Sequence, residues 1–364
     1  MHLILSGKEM FIVSARLITI SFNHVTIAVN SVPKCGKINN ESQENVGSPR
    51  TTPTKTRRKR LILMRHAERV DRVGFFRFLI VDAELLVFPG WLRLTNLNGT
   101  YSRYNLNQPR YLPTRWSGME GFHNDSPITQ IGEFTAQAVA EEITGNYQIG
   151  SIYSSPALRC IQTANQFNKF LLPVARIKVE HSLFEWLGWY KIRCYLALNT
   201  TLIIDKLMSN TSCNMLQPPK WMSTEELIRS NLNVDMNYKP VHGSNLQPIV
   251  GSESIVGYFD RSIDFLKIML ENDKSETICI ITHAPTLYIY TRYLLNISDT
   301  TPIREELDSS GSKIPYCSSV VMEKNADDDG WKLGKAIKVM TYLNQSTKID
   351  YQFLLNKRND QFPK

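Results

Sequence analysis

Cysteine is scarce and scattered in this chain, with six residues in 364, wide irregular spacing and no Cys-x-x-Cys pair. That pattern excludes a disulfide scaffold and a cysteine-based zinc framework, and fits free thiols in a reducing compartment. Long apolar runs are missing as well. Residues 1–30 are interrupted by Lys8, Glu9, Arg16 and His24, so they lack the continuous core of a secretory signal. The greasy stretch from Phe75 to Trp91 carries Arg77, Asp82 and Glu84, so no membrane span is expected. Asn-x-Ser/Thr triplets at Asn98 and Asn210 matter only in a secreted chain. There is no carboxylate cluster suited to magnesium and no Cys/His set for zinc, so no cofactor and no metal are expected.

Charge of one sign is concentrated rather than spread. Lys55, Arg57, Arg58, Lys59 and Arg60 supply five of the formal +8, and the remainder is nearly balanced. A nucleic-acid binder is therefore not expected; the basic run reads as a solvated patch, with nuclear import as its alternative to a cytoplasmic location. Upstream of it, residues 34–56 are rich in Ser, Asn, Thr, Pro, Lys and Gly with few large apolar side chains, the composition of a disordered linker. The expected organisation is an N-terminal extension over 1–59, one folded domain over 60–355 and a tail over 356–364.

Within that domain, strand-like and helix-like segments alternate, which predicts an α/β fold with a mostly parallel sheet. Leu61-Ile62-Leu63-Met64 and Ile278-Cys279-Ile280-Ile281 are unbroken apolar runs, as expected for strands buried on both faces. His66 follows the first run within Arg65-His66-Ala67-Glu68-Arg69, and His283 follows the second. In open parallel sheets ligands bind beyond the carboxyl ends of strands, where both histidines fall. A third strand is predicted at Ile149–Tyr153, followed by Ser155-Pro156-Ala157-Leu158-Arg159, with Ser at the cap and Pro in the first turn of a helix whose inner stripe is Leu158, Ile161, Ala164 and Phe167. Arg159 lies off that stripe, near free helix amides that favour an anion.

Other helices are predicted from near Thr129, carrying Ile131, Phe134 and Ala138 inward to an end at Gly145-Asn146, and from a Ser252 cap with a stripe of Val256, Phe259, Ile263, Leu266 and Leu270. Strands at Tyr316–Glu323 and Lys335–Leu343, joined by the turn-prone run 325–330, should complete one sheet edge.

Arg-His-x-x-Arg at a strand end, Ser-Pro-x-x-Arg at a helix start, a central Glu and a late Thr-His together resemble the histidine phosphatase superfamily, with its phosphoglycerate-mutase-like three-layer α/β sandwich. The longer strings Arg65–Asp71, Ser155–Ala164, Leu183-Phe184-Glu185-Trp186 and Ile314-Pro315-Tyr316-Cys317-Ser318 are similar to the phosphatase domain of TULA/Sts proteins, a branch shared with ecdysteroid-phosphate phosphatases. The resemblance runs from about Arg60 to the last strand.

It implies a metal-independent phosphomonoesterase in which His66 is the nucleophile, Glu185 the general acid and base, His283 a donor to phosphate, and Arg65, Arg69 and Arg159 phosphate binders. The implied substrate is phosphotyrosine protein or a bulky hydrophobic phosphate ester, and relatives of this branch also imply a homodimer. The apolar neighbours of Glu185 suggest a carboxyl held in its acid form, and the nearby arginines a neutral His66. The family has Gly where this chain has Ala67, and the stretches 74–87 and 191–216 have no family counterpart. Those departures keep open a catalytically impaired phosphate-binding or adaptor protein; a phosphoglycerate-type mutase is a further alternative. The modules that precede the phosphatase in TULA/Sts proteins exceed the roughly 60 residues present here, so ubiquitin and proline-rich ligand binding are not carried over.

Overall fold

The computed structural model describes residues 58–72, 91, 101–103, 105–122, 124–190, 219–242, 246, 252–342 and 345–358. Most of the N-terminal extension and both family-unmatched stretches, 74–87 and 191–216, lie outside the described residues.

The two apolar runs form strands β1 (Lys59–Arg65) and β4 (Thr277–Thr282), and every residue of β4 is buried. With β2 (Ser151–Ser154), β3 (Ile177–Val179), β5 (Ser319–Lys324) and β6 (Lys332–Leu333) they make a six-stranded sheet in the order β3-β2-β4-β1-β5-β6. The first four strands in that order run parallel, while β5 and β6 add an antiparallel edge. Strand side chains alternate between two cores. Ile62, Met64, Cys279 and Ile281 join the cluster built with helices α1 (Gln130–Asn146) and α2 (Leu158–Phe167). Leu61, Leu63, Ile278 and Ile280 join the cluster built with α4 (Ile255–Asn272) and α5 (Ala284–Leu294). The result is the expected three-layer sandwich. The shorter elements are α3 (Thr224–Arg229), α6 (Arg304–Lys313), α7 (Tyr351–Leu355) and a hairpin of β7 (Thr341–Tyr342) with β8 (Gln345–Ser346).

Several local expectations shift. Thr129 does cap α1, its hydroxyl accepting from Gly132 N, and the helix ends at Asn146. Its inner face, however, is Gly132, Thr135, Ala136, Val139, Ala140 and Ile143, while Phe134 is 52 % exposed. The small residues explain this: a Cβ on Gly132 would stand 2.8 Å from the Glu68 carbonyl oxygen, so α1 lies too close to the end of β1 for bulkier groups. Helix α4 is capped by Ser254 rather than Ser252, and Tyr258, Ser262, Phe265 and Met269 join Ile263 and Leu266 inside while Val256 faces out.

The inner stripe of α2 is as expected, but its N-cap is Ala157, with no side-chain cap of its own. Asp125 takes that role from a distant loop, accepting from Leu158 N at 2.8 Å. The partner of β5 is the two-residue β6 rather than a strand at Lys335–Leu343, of which 341–342 pairs with β8 instead.

Gly132→Ala tests the close approach of α1. In an exposed helix the change stabilises by about 0.5–1 kcal/mol, whereas here thermal denaturation should show destabilisation. An unchanged or raised melting temperature would contradict the tight contact.

Candidate active site

Strand register assembles the site. Arg65 pairs with Thr282 across β1 and β4, so the next residue of each strand, His66 and His283, emerge side by side with ring centroids 5.2 Å apart. His66 N donates to the Thr282 carbonyl at 2.9 Å, fixing the backbone at this step. On the other side of β4, Ser155 N donates to the Ile281 carbonyl, and α2 starts three residues later with Arg159 in its first turn. Glu185 arrives from beyond β3 through a short 3-10 turn at His181–Leu183, and Thr282 Oγ1 ties that turn down by donating to the Leu183 carbonyl at 2.8 Å.

The six residues singled out in the sequence share one region. Arg65, His66, Arg69 and Glu185 line a cavity of about 490 Å³, with Tyr190 and Tyr316 beside them. Arg159 and His283 lie behind it, both fully buried. Arg159 Nη2 donates to Glu185 Oε1 at 2.8 Å, yet its Nε and Nη1 are buried with no hydrogen-bond partner. Leaving such donors unmade costs about 1–3 kcal/mol each, which a bound anion would remove. Arg65 is held differently. Its Nη1 donates to the Gly311 and Ile314 carbonyls at the end of α6, and its guanidinium stacks 4.1 Å over the Tyr316 ring. Arg69 is paired by two hydrogen bonds to Asp71, at 2.9 and 2.7 Å.

Glu185 corrects one expectation. Its polar contacts include the Arg159 guanidinium, the Tyr190 hydroxyl at 3.0 Å and His283 Nδ1 at 3.5 Å, so its surroundings are not apolar side chains alone. The Ala67 methyl is buried in the apolar cluster that includes Ile62, Met64 and Val70, and Ala67 N donates to Thr163 Oγ1 at 2.9 Å. Backbone approach at this position is therefore already used inside the protein.

Burial, then the Arg159 charge, the neighbouring His283 and the Arg65 charge, push the His66 imidazole well below its usual range, so it is neutral. Its Nδ1 lies 2.8 Å from the Ala67 carbonyl, which can only accept, so Nδ1 carries the proton and Nε2 the lone pair. Burial followed by Arg159, Arg69 and Arg65 does the same to His283. Its Nε2 is 2.8 Å from Ser155 Oγ and its Nδ1 is 3.3 Å from Arg159 Nη2. Burial opposes ionisation of Asp71, but the Arg69 charge and hydrogen bond, with a further bond from Ser126, hold its carboxyl well below the usual carboxylate range.

Several contributors had no assigned role in the sequence. Asp71 sits two residues after Arg69, a spacing that could have suggested a local ion pair. Ser155, at the position expected for a cap, instead meets His283. Tyr190 and Thr163 carried no sequence signal, because their contacts depend on tertiary placement.

The pattern of the histidine phosphatase superfamily (branch 1) matches residues 113–188, a span containing Arg159 and Glu185. An ecdysteroid-phosphate phosphatase of Drosophila melanogaster is 29 % identical over 76 % of this chain and 31 % of its own length. The human ubiquitin-associated and SH3 domain-containing protein B is 31 % identical over 75 % of this chain and 37 % of its own length. The crystal structure of the ecdysone phosphate phosphatase of Bombyx mori, in complex with tungstate, superposes with a TM-score of 0.58 and 26 % identity, covering 82 % of this chain and all of that one.

The chain carries a histidine phosphatase superfamily domain. It spans about a third of the length of the two full-length relatives named above. In this histidine phosphatase fold, the α1–α2 side of the site falls within the matched span, whereas His66 and His283 lie outside it and are placed by β1 and β4.

Because the folded-state pKa values of His66 and His283 lie below the unfolded value near 6.5, the unfolded chain binds more protons beneath that pH, and stability falls as pH drops through it. NMR of the imidazole protons should show both rings neutral at pH 6, with the His66 midpoint rising in Arg159→Met. Titration of His66 near 6.5 in the unaltered protein would contradict the burial argument.

Proposed function

We propose that this chain hydrolyses phosphate monoesters through a covalent phosphohistidine on His66. The observation that carries the reading is the fully buried Arg159, with two N–H-bearing nitrogens lacking partners, beside a neutral His66 whose Nε2 bears the lone pair. Charge in phosphoryl transfer spreads over three peripheral oxygens, so positioned cations and a positioned nucleophile are the main requirements.

Once bound phosphate has drawn Arg159 away from the Glu185 carboxylate, Glu185 takes up a proton; His66 Nε2 then attacks phosphorus, the ester P–O bond breaks, and the departing oxygen takes that proton from Glu185. Water then attacks the phosphohistidine, Glu185 recovers the proton, and the N–P bond breaks to release inorganic phosphate. Arg159, Arg65 and Arg69 hold the phosphoryl oxygens. For His283 to donate to phosphate, its proton must sit on Nδ1, where Glu185 Oε2 can accept it at rest, and Arg159 Nη2, which can only donate, must turn from Nδ1 to the phosphoryl oxygens; Ser155 Oγ can then donate to Nε2.

The preferred substrate is a bulky hydrophobic phosphate ester or protein phosphotyrosine. The mouth of the cavity supports a ring-bearing leaving group, with Trp189, Tyr316, Leu307 and Pro285 around it. Ecdysteroid-phosphate phosphatases among the relatives point the same way.

Purified protein should hydrolyse an aryl phosphate with a chelator present. His66→Ala should abolish turnover, and Arg159→Ala should lower kcat/KM by about 10²–10³-fold. Turnover that survives His66→Ala, or that requires added metal, would contradict the mechanism; a folded protein with no turnover would favour the phosphate-binding reading.

A further inference from the structure

Arg261, on α4, is 7 % exposed and sits outside the cavity lining, yet three of its five hydrogen bonds go to the segment carrying Glu185. Its Nη1 donates to the Ser182 and Phe184 carbonyls at 2.7 and 2.9 Å, and its Nη2 to the Glu185 carbonyl at 3.1 Å. The remaining donors, on Nε and Nη2, go to the Glu253 carboxylate at 2.5 and 3.2 Å. Those five contacts match the five N–H groups of a guanidinium. Glu253 continues the grip from its other side. Its Oε2 accepts from Leu187 N at 2.7 Å, and its carbonyl from Trp186 Nε1 at 2.9 Å. Backbone or side-chain atoms of Ser182, Phe184, Glu185, Trp186 and Leu187 are thus all fastened to one ion pair at the head of α4.

The contrast with Arg159 is informative. Arg159 keeps buried nitrogens without partners and faces the carboxylate of Glu185, as a ligand-binding arginine should. Arg261 has no donor left for substrate and binds main-chain carbonyls, as a scaffold should. An isolated loop would lose a proton donor's alignment easily, because a displacement of about 1 Å can cost about 10²-fold in rate.

We infer that Arg261 and Glu253 form a positioning clamp that fixes the backbone of Glu185, and through it the orientation of the general acid, without touching phosphate. This rests on the reading of Glu185 as the acid. The clamp acts on leaving-group protonation and leaves phosphate recognition to Arg65, Arg69 and Arg159. A lysine at 261 keeps the charge but presents its donors from a single atom, so it cannot bridge three carbonyls and a carboxylate.

The test compares two esters, 2,4-dinitrophenyl phosphate, whose leaving group needs no proton, and an alkyl phosphate, whose leaving group does. Glu185→Gln is the reference and should lose about 10²–10⁴-fold in kcat/KM, which reports leaving-group departure and not the later water attack, on the alkyl ester, with far less loss in kcat/KM on the dinitrophenyl ester. Arg261→Lys should reproduce that asymmetry at about 10²-fold, with inhibition by tungstate unchanged. Glu253→Gln, a gentler change, should show the same direction and serves if Arg261→Lys does not fold.

Equal losses on both esters in the folded clamp variants, or weakened tungstate inhibition in parallel, would overturn the clamp while leaving Glu185 as the acid. A Glu185→Gln enzyme that treats the two esters alike would overturn the acid assignment itself, and the clamp with it.

Discussion

The parallel pairing of β1 with β4, Arg65 opposite Thr282, is the constraint on which the rest of the site depends. A slip of one residue would exchange the faces of every side chain on either strand. The two helical layers prevent it, because each strand contributes alternately to two separate apolar clusters. The same alternation that builds the core therefore sets the two histidines adjacent at the strand ends. Neighbouring β2 delivers Arg159 at the same level through its pairing with β4, Ser154 opposite Ile281.

That arrangement gathers charge where water is excluded. Arg65, Arg69 and Arg159 are each less than a tenth exposed, and like charges packed together in a buried site are unfavourable without compensation. Compensation comes in three forms: Asp71 for Arg69, carbonyls and the Tyr316 ring for Arg65, and Glu185 for Arg159. Arg159 alone of the three has two buried nitrogens left open. The neutral histidines follow from the same field, since protonating either would add another cation to the group. A dianionic phosphoryl group is the ligand that this charge distribution fits best.

The fold was legible because its signals are local, and so was the placement of Arg65, His66, Arg69, Arg159 and His283 at one end of the sheet; Glu185 carried no local signal and was singled out only by the family resemblance. Unalternating apolar runs mark doubly buried strands, and chemistry-bearing residues directly after them mark the sheet's ligand-binding edge. What escaped depends on distance in sequence. Asp125 caps α2 from outside its sequence motif, Tyr190 reaches Glu185 through a turn, and Glu253 and Arg261 meet the Glu185 loop from more than sixty residues away. The inward face of α1 departs from the apolar periodicity for a related reason. Apolar periodicity favours Phe134, but the close approach to Glu68 selects Gly132 and Ala136.

The central claim is covalent transfer to one ring nitrogen, and rapid quenching of a turnover with ³²P-labelled aryl phosphate tests it most directly. The account predicts an acid-labile, alkali-stable label on the peptide containing His66 and on no other. Label on a different residue, or complete hydrolysis with inversion at a chiral phosphorus and no labelled protein, would contradict it.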